Sequence, residues 1–136
     1  MKNILVLCTG NSCRSIMGEA LINRYLGSYY DVKAYSAGTK PTGKVNENAL
    51  YTLKEYCLET LGYSSKHIDS LKDIKFDLVV TVCGGAKEEC PMFAGDTKVI
   101  HVGFEDPDGK DFEAFKETFN QMRETMLPRI KEELNL

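Results

Sequence analysis

Ile4-Leu5-Val6-Leu7-Cys8-Thr9-Gly10-Asn11-Ser12-Cys13-Arg14-Ser15 is the stretch on which the fold turns. Its opening apolar run reads as a strand buried on both faces, the pattern of a central parallel strand. The pattern predicts a strand over about Lys2–Leu7, a loop of small and polar residues, and a helix from about Arg14 to Leu26. Met17, Ala20, Leu21 and Tyr25 fall at helical spacing, and Gly27 is the stop. Cys8 and Arg14 stand at the two ends of the loop as Cys-x5-Arg. Between them, Thr9, Gly10, Asn11, Ser12 and Cys13 can turn successive backbone N–H groups inward as a nest for a tetrahedral anion. The helix start adds donors and the positive end of its dipole. Arg14 can fork two N–H bonds onto two oxygens, which a lysine cannot do. The same field favours a thiolate at Cys8, and Ser15 is placed to donate a hydrogen bond to that sulfur. A buried core cysteine on a tight turn is the plainer reading, but it leaves Arg14 and Ser15 unexplained. Neither G-x-x-x-x-G-K-[ST] nor G-x-G-x-x-G occurs, so the loop is not a nucleotide loop of either kind.

The rest of the chain repeats the strand-and-helix alternation. Asp31–Ser36 and Leu78–Val82 read as strands, as does Lys98–Val102. Asn46 reads as the N-cap of a helix that carries Ala49, Leu50, Leu53 and Cys57 and ends near Gly62, which would put Cys57 in the core. Ser64–Lys75 is polar and reads as a loop with one helical turn. The last helix carries Phe112, Phe115, Phe119, Met122, Met126 and Ile130 on one face, and Pro128 should kink or end it. The order predicts an α/β fold of three layers on a four-stranded parallel sheet, with residues 1–136 as one domain. With 136 residues, 43% of them hydrophobic, the chain can build a real core. Its net charge of −3 argues against nucleic-acid binding, and no apolar run is long enough for a signal peptide or a membrane span. A cytoplasmic protein is expected. Five cysteines in that setting point to catalysis or metal binding rather than structural bridges.

Ligands of such folds gather at the carboxyl ends of the strands. Cys8 and Cys83 each follow an apolar strand, so both belong to one edge of the sheet. Cys83 and Cys90 are separated by Gly84-Gly85-Ala86-Lys87-Glu88-Glu89, a glycine pair leading into a helix-prone run. If Cys83 attacks at Cys8 and Cys90 then attacks Cys83, a disulfide is passed outward by thiol–disulfide exchange. Two incidental loop cysteines are the plainer alternative. Asp106, before Pro107, offers a carboxyl stiffly held for general-acid work, with Glu105 as a rival. Cys13 contributes size and a backbone N–H. His67 and His101 carry no ligand pattern.

With those residues assembled, the sequence resembles the thioredoxin-coupled arsenate reductases, which share the low-molecular-weight protein tyrosine phosphatase fold. The likeness covers nearly the whole chain. It includes Cys8–Ser15, Met17-Gly18-Glu19, Tyr35-Ser36-Ala37-Gly38, Val79–Cys83, Cys90-Pro91 and Gly103–Pro107. The resemblance implies that Cys8 attacks arsenate held by Arg14 and the loop amides, with phosphate or sulfate as analogues, while Asp106 protonates the leaving oxygen. It further implies a Cys8–Cys83 and then a Cys83–Cys90 disulfide, reduced by thioredoxin, with no tightly bound cofactor. A potassium ion is implied at Asn11, Glu19 and Ser36, although Leu71 stands where a further carboxylate is expected. A monomer suffices for this chemistry. Asp108-Gly109 follows Asp106-Pro107 where the phosphatases usually carry an aromatic residue. The alternative function is that of a low-molecular-weight protein tyrosine phosphatase.

Overall fold

The computed structural model describes residues 1–84, 93 and 95–136. The elements, in order, are β1 (Lys2–Cys8), α1 (Arg14–Tyr25), β2 (Val32–Gly38) and α2 (Glu47–Glu55). A 3-10 turn (Ile68–Leu71), β3 (Leu78–Thr81), β4 (Lys98–His101), α3 (Phe112–Gln121), a π-helical turn (Met122–Met126) and α4 (Leu127–Leu134) follow. The strands make one parallel sheet in the order β2-β1-β3-β4. β1 is central, with Lys2 opposite Val32 and Cys8 opposite Gly38 on one side, and Ile4 opposite Leu78 and Leu7 opposite Thr81 on the other. Ile4 through Leu7 are accordingly fully buried.

Alternation along β1 divides the core. Ile4, Val6 and Cys8 join Met17 and Leu21 of α1, Leu53 of α2, Phe115 and Phe119 of α3 and Ile130 of α4. Leu5 and Leu7 point the other way, to Ala37, Phe76 and Val79, with Ile68, Leu71 and Phe93 packed alongside. Helices, sheet and the segment around Phe76 therefore form the three layers expected. Phe115 and Phe119 are fully buried, each a contribution of about 2–3 kcal/mol before entropy is charged. Gly18 lets α1 lie close on the sheet: a Cβ there would stand 3.0 Å from a methyl of Val6.

Two expectations meet the structure differently. Pro128 does interrupt the α-helical bonding, since its ring would collide with the carbonyl four residues back. The chain widens into the π turn at Met122–Met126 and resumes as α4 with Pro128 in its first turn. Cys57 is not in the core. The helix stops at Glu55, and Cys57 is exposed at φ +61. Its N–H donates to Lys54 O at 3.0 Å and that of Leu58 to Leu53 O at 2.8 Å. This is a Schellman closure with a cysteine where glycine is usual, so nothing local marked the end.

Candidate active site

The loop after β1 is shaped from behind. Lys40 N–H donates to Thr9 O, Thr42 N–H to Gly10 O, Asn46 N–H to Ser12 O and Met17 N–H to Cys13 O, all at 2.9–3.0 Å. Ser65 Oγ also donates to Gly10 O at 3.0 Å. With these carbonyls drawn outward, the amide edge of the loop faces inward, as an anion nest requires. Gly38 makes the close approach possible, because a Cβ there would lie 2.3 Å from Thr9 O. Asn11 takes the left-handed conformation, φ +48, which asparagine tolerates better than most residues.

Cys8 sits at the bottom, buried and with a free thiol. Asn11 N–H donates to its sulfur at 3.2 Å. The thiol donates to Ser15 Oγ at 3.0 Å, and Asn11 Nδ2 donates to the same oxygen at 2.8 Å. Ser15 was expected to donate to the sulfur; with a neutral thiol the bond runs the other way, and ionisation of Cys8 reverses it. Arg14 is buried, with one guanidinium nitrogen donating to Phe104 O at 3.0 Å and the other 3.5 Å from Asp106 Oδ2. Cys8, Gly10, Asn11, Ser12, Cys13, Arg14 and Asp106 line one small cavity of about 30 Å³. The predicted nucleophile, cradle, arginine and acid thus come together. A wider groove of about 430 Å³ flanks it, lined by Thr42, Asn46, Asn48 and Asp108 among others and sharing Ser12.

The two candidate acids sit in different places. Glu105 is exposed and ion-paired with Lys110, and that hydrogen bond holds its carboxyl below the ordinary range. Asp106 turns to Arg14 instead. Cys13 is buried in the loop itself, and burial pushes its thiol up to about 12, which suits a spacer and not a nucleophile. Cys83, two residues beyond β3, is buried and disulfide-bonded, whereas Cys8, Cys13 and Cys57 are free. Because β1 and β3 are neighbours, Cys8 and Cys83 do share one sheet edge. Cys90 lies outside the described residues. His67 caps the 3-10 turn, accepting from Asp69 N–H, and His101 bonds Thr81 Oγ1.

Behind the loop, Ser36 Oγ donates to Glu19 Oε1 at 2.6 Å, and Asn11 Oδ1 accepts from Lys66 N–H at 2.8 Å. Burial pushes Glu19 above the ordinary carboxyl range and Lys66 below the ordinary amine range, while their opposite charges work against both shifts. Asn11, Glu19 and Ser36 would supply the kind of oxygen donors a hard cation takes, with the charge of Lys66 competing for the same carboxylate. Sequence reasoning found Asn46 as the cap of α2 but not its bond to the loop, and missed Ser65 and Lys66, whose contacts to the loop span 55 residues of chain.

Residues 3–135 match the family described as low molecular weight phosphotyrosine protein phosphatase. The chain belongs to that family. Within it, the chain is 44% identical over 135 residues to an arsenate reductase of Oceanobacillus iheyensis, covering 96% of this chain and 93% of the relative. An arsenate reductase crystal structure from Archaeoglobus fulgidus superimposes with a TM-score of 0.78 at 31% identity, covering 98% of this chain and 99% of that one. A second, described as an arsenate reductase in the phosphate binding state, gives 0.75 at 25% identity, with 97% and 98% covered. The α/β fold of those structures is the one seen in this chain. No helix of the described residues is long and apolar enough to cross a membrane.

Proposed function

We propose that this chain reduces arsenate to arsenite in arsenic detoxification, with Cys8 as nucleophile and two further cysteines carrying the oxidation away. The observation that carries this reading is the pairing of an oxyanion cradle at the end of β1 with a disulfide-bonded Cys83 at the same edge. A phosphatase needs the first feature and not the second. The arsenate reductases among the relatives support it.

Cys8 thiolate attacks arsenic while the cradle amides and Arg14 hold the equatorial oxygens, and Asp106 gives its proton to the departing oxygen, which leaves as water. Cys83 thiolate then attacks the Cys8 sulfur. The sulfur–arsenic bond breaks with its electron pair staying on arsenic, so arsenate is reduced to arsenite and a Cys8–Cys83 disulfide forms. Cys90 attacks Cys83, releasing Cys8 as thiolate and forming the Cys83–Cys90 bond, which a thioredoxin dithiol reduces. The chain works as a cytoplasmic monomer without a tightly bound cofactor. Phosphate-ester hydrolysis is a weak second activity of the same cradle.

The test follows NADPH oxidation with thioredoxin and thioredoxin reductase. Wild type should turn over continuously with arsenate, and Cys90→Ser should stop after about one cycle. Absence of arsenate-dependent oxidation, with brisk phosphate-ester hydrolysis by both proteins, would leave the phosphatase reading.

A further inference from the structure

We infer that Asn46 is a positioning residue for the acid Asp106, an inference that rests on the arsenate reductase reading above. Three bonds converge on it from three parts of the molecule. Its N–H holds Ser12 O of the anion loop at 3.0 Å. Its Oδ1 caps α2 by accepting from Asn48 N–H at 2.8 Å. Its Nδ2 donates to Asp108 Oδ1 at 2.8 Å. Asp108 in turn donates its N–H to Asp106 Oδ1 at 3.0 Å, and the other oxygen of Asp106 faces Arg14. The acid is therefore gripped through one carboxylate oxygen by the arginine and through the other by a turn that Asn46 anchors.

The choice of residue is informative. Serine, threonine or aspartate would cap α2 about as well, but none of them offers an amide to a facing carboxylate. A serine or threonine would have to accept and donate through one short-reaching oxygen, whereas Asn46 accepts for the helix through Oδ1 and donates to Asp108 through Nδ2. The Asn46–Asp108 bond is exposed, so its effect on stability is small and its effect on geometry is what counts. A general acid must come within hydrogen-bond reach of the leaving oxygen, and a misplacement of about 1 Å costs on the order of 100-fold. Pro107 is buried and anchors one side of the same turn, leaving Asn46 to fix the side that faces the cradle.

Asn46→Asp keeps the cap acceptor and sets two carboxylates against each other. Single-turnover arsenate reduction, read as loss of free thiols after rapid quench, should slow by about tenfold or more, while inhibition by inorganic phosphate stays within about twofold of wild type. The double variant Asn46→Asp/Asp108→Asn rebuilds the bond in reverse, amide 108 donating to carboxylate 46, and should recover most of the rate. Placed on Asp106→Asn, the Asn46→Asp change should cost nothing further. Wild-type rates in Asn46→Asp, no recovery in the double variant, or an undiminished loss on Asp106→Asn would each overturn the inference. If wild type reduces no arsenate, the proposed function fails by itself. The same series on aryl phosphate hydrolysis then decides the inference: loss with rescue supports it, and no loss overturns it.

Discussion

Glu19 shows what a half-buried charge beneath an anion site does to the protein. Burial outweighs the Ser36 hydrogen bond and the attraction of Lys66 and Lys33, so the carboxyl titrates above its ordinary range. A carboxyl whose folded-state value is raised stabilises the fold fully below the unfolded value. That contribution is lost as pH rises through the folded one. Glu19→Gln keeps an acceptor for Ser36 and carries no charge. The variant should match wild type near pH 4, about where an unfolded glutamate titrates, and exceed it near pH 8. Urea midpoints at the two pH values check this, and a variant less stable at pH 8 would show that the attraction to Lys66 outweighs burial. Such a variant also leaves Lys66 half-buried beside a neutral amide, so its own charge is a second reason to read both pH values rather than one.

Elements explain what could be read from the chain and what could not. β1, its loop and α1 were legible because their logic is local. Apolar continuity sets the strand, and Cys-x5-Arg spacing sets the cradle. Pro128 was legible because its missing N–H acts within one turn. Ser65 and Lys66 were not, since their bonds to Gly10 and Asn11 bridge 55 residues and neither residue differs locally from an ordinary loop residue. The end of α2 was not legible either, because the residue in the left-handed cap position is Cys57 and not a glycine. That mismatch carries a prediction. Cys57 is exposed, so Cys57→Gly removes no packing and relieves the Cβ strain of the left-handed conformation. A gain of about 0.5–1 kcal/mol is expected, read as a higher urea midpoint with unchanged slope. Arsenate turnover should be unaffected, since Cys57 has no place in the relay.

At the scale of the whole molecule, the cradle is a device for coupling an anion to the fold. Its parts come from the end of β1, the start of α1, the loop before α2 and the loop that carries Asp106, which meet only when the sheet is formed. An oxyanion therefore binds the native state and has no counterpart site in the unfolded chain. Bound phosphate at about 100 times its dissociation constant should stabilise the fold by about 2.7 kcal/mol. For a chain of this size that is a rise in Tm on the order of 10 °C. Chloride at equal ionic strength should give little of it, because a monatomic anion cannot engage the amides and the guanidinium fork together. Arg14→Lys is the sharper control. A lysine keeps one positive charge, but its donors all sit on one nitrogen and cannot be spread as Arg14 spreads Nη1 to Phe104 O and Nη2 toward Asp106. Its Tm without phosphate should fall, and the phosphate-linked rise should shrink to a small fraction of the wild-type value. If both proteins gained equally from phosphate, the anion would be binding elsewhere on the surface, and the cradle would have no thermodynamic hold on the fold it is built from.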